Sequence, residues 1–399
     1  MKILITTEWS LPVVNGVVIS VNNLKEELTK LGHEVKVLTL SHSKHSYEKD
    51  GVISIGSLGA GKIYPGARFA IPTSNRYIKK IIRWNPDLIH SQSEFSTFLL
   101  ARYLSNRLQV PIVHTYHTVY ENYTHYFSPV EKWGKAMASL FTTTTLKHTS
   151  CVIAPTEKVR KLLDEYGVTK EIKVVPTGIH VTGSEFHSVS KNSQTLRSKI
   201  GIPADMKILV TVGRLAKEKN IEELLSFISE LGNSNYGLLI VGDGPHRAQL
   251  EKHAQMLGIT DRVYFVGMVP HDKVNQYYQL GDVFVSASSS ETQGLTYMEA
   301  MANGLPAICR KDACLDDVIV DGVNGWQYET FEEFCKQLDS TLVDGKIYEQ
   351  MSQNAKSAAL NNYSAAAFAQ KVEAIYKETI DIYRIQHELS STPVLGYAW

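Results

Sequence analysis

Two glutamates, Glu291 and Glu299, stand with seven residues between them in the stretch SSSETQGLTYMEAMANGLP, and Gly294 lies in the gap. An ionised carboxylate accepts several hydrogen bonds and donates none, so such residues suit a ligand rich in hydroxyls. In GRLAKEKN, Lys219 follows Arg214 by five residues. A guanidinium and an ammonium at the two ends of a short loop make a clamp for two phosphates, although either alone fits an ordinary solvated surface charge. The first half holds HTYHTVYENYTHY, with His114, His117, His125, four tyrosines and Glu121. Zinc would need a fourth ligand at matching spacing, and none stands nearby. His117, at the end of an apolar run, is the better candidate for a polar contact to a ligand. No Asp-x-Asp pair stands in a loop to hold a metal-bound diphosphate. The expectation is therefore a metal-independent site, with anionic charge met by Arg214, Lys219 and helix amides.

The elements that hold these residues follow from short β-branched runs. KILITT, EVKVLTL, LIHSQ, PIVHTYH and CVIAPT read as buried strands of the first half, and KILVTVGR, YGLLIVGDG, VYFVGMV, VFVSASSS and PAICR as those of the second. Amphipathic segments such as VISVNNLKEELTKLG and NIEELLSFISELG alternate with them, each closed by glycine. Strand and helix in alternation give two α/β units with parallel sheets, which hold ligands at the carboxyl ends of their strands. Glu291 follows VFVSASSS at such an end. A helix is expected to begin near Thr296, with Gly294 turning the chain and the first amides favouring an anion. The spacing of TYME also fits a capping box, in which Thr296 caps the helix and Glu299 returns to its amide. Glu299 thus has two readings, cap or ligand. Asn15-Gly16, between the first strand and helix, lacks the three glycines of a dinucleotide fingerprint.

At 399 residues the chain exceeds one ordinary core, and 43% apolar with 21% charged residues is usual for a globular enzyme. Cys151, Cys309, Cys314 and Cys335 are too sparse for a disulfide framework and read as reduced thiols of a cytoplasmic protein. MKILITTEW, interrupted by Glu8, reads as a first strand rather than a signal peptide, and no apolar run has membrane-spanning length. Charge divides by half. Residues 1–190 hold 22 Lys and Arg against 15 Asp and Glu, and by subtraction from 41 and 41 the remainder holds 19 against 26. The basic residues are spread through helices rather than gathered in a stripe, which argues against nucleic acid. RYIKKIIRW (residues 76–84) and VEKWGKAMASLF, with Trp133 between Lys132 and Lys135, have the composition of helices lying in a headgroup layer. The same composition fits amphipathic helices packed on their own sheet.

In order along nearly the whole chain, Asn15-Gly16, the His117 segment, VVPTGI, GRLAKEKN, VGDGP and Glu-x7-Glu resemble the retaining GT-B glycosyltransferases of family four. YHTVYENYTHY and SETQGLTYMEAMANGLP resemble more closely the diacylglycerol α-glucosyltransferases of bacteria. The resemblance implies two Rossmann-like doubly wound domains facing a cleft. Residues 1–185 would receive the acceptor, residues 186–379 would bind the nucleotide-sugar donor, and residues 380–399 would cross back to the first domain. It assigns sugar contacts to Glu291, ribose contacts to Glu299, and the diphosphate to Arg214 and Lys219. Further donor contacts fall on Gly16, Gly213, Asp243, Gly294, Leu295 and Thr296, and His117 lies near the transferred sugar. Asn15 stands where the family often has glycine. The implied reaction moves glucose from UDP-glucose to diacylglycerol or a related membrane lipid with retention, at the cytoplasmic face of an anionic membrane. The alternative is another donor (UDP-GlcNAc, UDP-Gal or GDP-Man) with a polysaccharide-precursor, protein or soluble acceptor.

Overall fold

Most of the predicted apolar runs become strands whose side chains are buried on both faces, which is why their sequences are continuous rather than alternating; in VYFVGMV, Tyr264, Phe265 and Val266 stay half-exposed. A computed structural model describes the chain except for residues 11–12, 14, 60–67, 71–75, 122–130, 180–190, 233–234, 289–290 and 392–399. His125 and part of the stretch expected to join the two domains lie outside the described residues.

In the first unit the strands are β1 (Lys2–Thr6), β2 (Glu34–Leu40), β3 (Tyr47–Lys49), β4 (Val52–Ile55), β5 (Ser57–Gly59), β6 (Arg68–Ala70), β7 (Leu88–Ser91), β8 (Ile112–Thr115), β9 (Cys151–Ala154) and β10 (Ile172–Val174). Eight of them form one sheet in the order β10-β9-β8-β7-β1-β2-β4-β3, parallel except for the β3–β4 pair, and β5 and β6 form a separate hairpin. The second unit has β11 (Lys207–Val212), β12 (Tyr236–Val241), β13 (Val263–Gly267), β14 (Val283–Ser286), β15 (Ala307–Arg310) and β16 (Gly325–Tyr328). These make an all-parallel sheet in the order β13-β12-β11-β14-β15-β16. Each sheet is built outward in two directions. The reversal falls between β1 and β7 in the first and between β11 and β14 in the second, and ligands of doubly wound sheets bind outside the strand ends at that point.

The compact units are residues 1–178 with 365–399, and residues 179–364. The return to the first unit therefore begins at Ala365, earlier than the expected residue 380. Its cause is the apolar stripe of helix Ala365–Ser391. Phe368, Val372, Ile375 and Tyr376 share one core with Ile3 and Ile5 of β1 and with Val21, Leu24 and Leu28 of helix Gly16–Lys30. Each such side chain contributes about 1.5–3 kcal/mol when fully buried, so the helix belongs energetically with the first sheet.

Helix Arg76–Trp84 packs on the first sheet. Its Ile78 and Ile81 are buried in the core with Ile89, Phe98 and Leu104. Trp84 Nε1 donates to Glu34 at 2.6 Å, and Lys80 pairs with Glu48. Its apolar side thus packs on the protein's own sheet, while Arg76, Lys79, Lys80 and Arg83 stay exposed.

Candidate active site

In the second unit the reversal point gathers the predicted charges. Gly213 and Arg214 leave the end of β11, and Arg214 is exposed. Lys219 closes the 3-10 turn Lys217–Lys219, just before helix Ile221–Glu230. Its Nζ donates to Glu291 Oε1 at 2.5 Å, across 72 residues of sequence, with both side chains half-buried. The loops after β11 and β12 are laced by backbone bonds: Leu215 N donates to Asp243 O, and His246 N to Leu215 O. A Cβ on Gly242 would sit 1.9 Å from Gly213 O, so only glycine permits this approach. The Asp243 carboxylate accepts from Gly244 N and Arg247. Its side chain thus shapes its own turn.

Helix Leu295–Ala302 starts at Gly294, which takes the left-handed conformation (φ 74°) and supplies no side-chain cap. Leu295 and Thr296 are the first two helical residues, and Glu299 is the fifth. This corrects the capping-box reading: a positive-φ glycine begins the helix ahead of Thr296, so Glu299 is too far along to return to a cap. Glu299 Oε2 instead accepts from the hydroxyl of Tyr278 at 3.0 Å, and that hydroxyl also reaches Thr296 O at 3.2 Å. Burial, with Glu299 beside it, pushes the Tyr278 phenol well above its ordinary range, so it stays a donor. Beneath the loop, Arg310 at the end of β15 grips Glu223 with two nitrogens, and Tyr328 and Asn220 donate to the same carboxylate. Neither Tyr278 nor this Glu223 cluster was expected, since each depends on partners distant in sequence.

The first unit carries a cluster of a different kind at its own reversal point. Gly16 opens helix Gly16–Lys30, but the Asn15 side chain caps it by accepting from Val18 N at 2.9 Å. One amide that an open glycine turn would leave for an anion is therefore taken. Past β1, Glu8 Oε1 accepts from both Thr97 N (2.7 Å) and Thr97 Oγ1 (3.0 Å). Burial raises its carboxyl to about 7 against those two bonds, and Glu94 adds to the rise. Glu94 in turn accepts from Tyr120 at 2.6 Å and meets the buried His114 at 3.3 Å. His117 Nε2 lies 2.6 Å from Gln92 Oε1. Desolvation lowers the His117 imidazole to about 4, more than Glu94 can offset. His117 is thus a neutral imidazole at ordinary pH. Glu8, Gln92 and Glu94 escaped the sequence reading, although Glu8 breaks an apolar run and so marked itself. Among the described residues, no group of three His, Cys, Asp or Glu side chains could hold a metal ion.

Beside this cluster lies an exposed apolar surface. Helix Glu131–Leu146 presents Trp133, Met137 and Leu140 to solvent, and helix Ser96–Leu108 presents Leu99 and Tyr103; Trp133 is 71% and Leu99 64% exposed. Phe95, which stacks on Phe141 with centroids 5.6 Å apart, joins the two helices. Lys132 and Lys135 flank Trp133. No helix among the described residues is long and apolar enough to cross a membrane.

The profile of Glycosyltransferase Family 4 matches residues 14–182, and that of glycosyl transferases group 1 matches residues 192–358. An alpha-monoglucosyldiacylglycerol synthase of Streptococcus pneumoniae is 34% identical over 394 residues, covering 98% of this chain and 88% of its own. Another, of Acholeplasma laidlawii, is 35% identical over 393 residues, covering 96% and 98%. Among solved structures, sucrose-phosphate synthase of Thermosynechococcus elongatus has a TM-score of 0.75 at 20% identity, covering 96% of this chain and 99% of that one. Anabaena HepE, in complex with UDP and glucose, has a TM-score of 0.73 at 17% identity, covering 95% and 100%.

Proposed function

This chain belongs to the group 1 and family 4 glycosyltransferases, with the two Rossmann-like domains of the GT-B fold, and we propose that it moves glucose from UDP-glucose to the free hydroxyl of diacylglycerol with retention and without a metal ion. The observation that carries this reading is the Lys219–Glu291 contact at the reversal point of the second sheet. It is an ion pair that a sugar diphosphate can exchange, the ammonium turning to phosphate and the carboxylate to sugar hydroxyls. Arg214 and the opening amides of helix Leu295–Ala302, from Gly294 through Thr296, meet the remaining phosphate charge. Glu299, held from behind by Tyr278, receives the ribose. In the first unit, His117 and Gly16 are the residues we assign to the same reaction.

In the transfer step, the bond between glucose C1 and the β-phosphate oxygen breaks, and the acceptor hydroxyl oxygen bonds C1 on the same face. The bonding pair and the hydroxyl proton both end on the departing β-phosphate, and UDP leaves. Stabilising the charge that develops on that phosphate is the protein's main contribution. Two cations and a helix terminus supply this without metal.

The acceptor assignment rests on the names of the two relatives, both diacylglycerol-glucosylating synthases, and on the apolar surface of the first unit. Trp133, Met137, Leu140, Leu99 and Tyr103 form a face that enters the interfacial layer of an anionic leaflet, with Lys132 and Lys135 beside it. Each such lysine contributes about 1 kcal/mol near an anionic surface. Attachment is then reversible and peripheral, at the cytoplasmic face.

The test is UDP release from UDP-glucose with diacylglycerol vesicles, followed by mass and anomeric analysis of the product lipid. An α-glucosyl lipid is expected. Transfer to a soluble sugar with no lipid product, and no co-sedimentation with anionic vesicles, would overturn the lipid reading in favour of a soluble acceptor.

A further inference from the structure

Gln92 does not hold His117 alone. Its Nε2 lies 3.1 Å and 3.0 Å from the two ring nitrogens of His90. Near-equal distances put the amide nitrogen against the ring face rather than in either lone-pair direction, a weak N–H contact to an aromatic face. Both nitrogens of His90 are already engaged by hydroxyls. Nδ1 meets the Tyr376 hydroxyl at 2.6 Å, and Nε2 meets Thr115 Oγ1 at 2.7 Å. The Tyr376 ring also stands edge-on to His90, with centroids 5.4 Å apart. His90 and Tyr376 are both fully buried. An amide turned the other way would aim its carbonyl oxygen at the His90 ring and its NH2 at His117. In the observed sense His117 Nε2 carries the proton, donates it to Gln92, and leaves Nδ1 as an acceptor.

We infer that Tyr376 and His90 are positioning residues for His117. The C-terminal helix fixes His90, His90 fixes the Gln92 amide, and the amide selects the Nε2–H form, so that His117 offers an acceptor nitrogen to a hydroxyl of the transferred sugar. This rests on the proposed role of His117 in transfer. It gives helix Ala365–Ser391 a second task beyond filling the core: without the Tyr376 hydroxyl, the sugar would meet a histidine free to take either tautomer.

Tyr376→Phe keeps the ring and deletes the hydroxyl. Turnover is expected to fall roughly two- to tenfold, the equivalent of one ordinary hydrogen bond, with acceptor KM unchanged. Nitrogen NMR of the full-length protein reads the tautomer without any substrate. Wild type is expected to show His117 as the Nε2–H form and Tyr376→Phe a mixture of both. Gln92→Glu puts a carboxylate against His117 and is expected to raise its pKa, moving the acid limb of turnover to higher pH. Should His117→Ala abolish turnover while Tyr376→Phe keeps both the wild-type rate and an unmixed tautomer, the relay is overturned alone. If His117→Ala is silent, the transfer role of the histidine fails, and the relay's catalytic meaning with it. The NMR result still reports whether Tyr376 controls the ring.

Discussion

The two reversal points solve opposite electrostatic problems. In the second unit the groups are charged and half-exposed. Arg214 faces solvent, and Lys219 and Glu291 hold each other in a contact that a ligand can exchange. In the first unit, desolvation pushes Glu8, His90 and His117 toward their neutral forms. Burial raises Glu8 to about 7 and lowers His117 to about 4, and His90 is held well below its ordinary range. A diphosphate brings negative charge and needs cations that are affordable to keep ionised, which means hydrated ones. A sugar or lipid hydroxyl is neutral, and directional donors and acceptors in a drier setting recognise it best. The charge division of the sequence is thus a poor guide, because the basic half houses the site where burial works against charge.

The strongest way to break this comparison is at the cations. Arg214→Ala and Lys219→Ala are each expected to lower kcat/KM about 10²–10³-fold, since each removes a charge that acts on the leaving phosphate. Arg214 is exposed, so thermal stability of that variant should match wild type. Lys219→Ala leaves Glu291 without this ion-pair partner, and a small stability change there would be unsurprising. If both variants turn over at the wild-type rate, the diphosphate assignment is wrong.

The buried side is tested through pH. Glu8 binds a proton more tightly folded than unfolded, where its pKa returns to about 4.3. Its contribution to stability is therefore complete below about pH 4 and is lost as pH rises through 7. Glu8→Gln keeps the carbonyl oxygen that Thr97 bonds and removes the ionisation. The variant is expected to gain up to about 3 kcal/mol over wild type at pH 8, and nothing at pH 4. Urea midpoints across that range decide it. Parallel pH profiles for the two proteins would mean that water reaches the carboxylate freely. The buried histidines act in the other direction: below about pH 6.5 the unfolded chain takes up protons that folded His117 refuses, so stability falls with acid.

What the sequence disclosed follows the range of the interactions. Strands buried on both faces announce themselves as apolar runs. Glu291, Gly294, Arg214 and Lys219 sit in loops whose place at strand ends is set locally. The capping box failed for a local reason too: Gly294 has access to positive φ, so the helix begins before the threonine that would have capped it. Tyr278 and Glu299 are 21 residues apart, and His90 and Tyr376 are 286 apart. No spacing rule links such pairs. RYIKKIIRW was ambiguous for another reason, since a stripe of isoleucines between lysines reads alike whether it faces lipid or a sheet. Only three-dimensional contacts show that Ile78 and Ile81 face the sheet.

The smallest expected effect lies where the two kinds of site meet in one residue pair. Glu299 is a half-exposed carboxylate, yet one of its oxygens is held by a fully buried phenol. Tyr278→Phe removes that hydroxyl while keeping the ring that packs against Phe284, 6.2 Å between centroids. A lost hydrogen bond to a charged group is worth about 1.5–3 kcal/mol at most. Here the carboxylate can recover water, so about 1 kcal/mol is expected. If Glu299 holds the ribose, that loss appears as a rise of roughly fivefold in donor KM, with kcat near wild type, because ribose lies away from the bond being broken. If Glu299 and Tyr278 only brace the helix, the same substitution lowers thermal stability and leaves donor KM alone. Steady-state kinetics beside a melting curve on the one variant separates a carboxylate aimed at ligand from one that merely staples its helix.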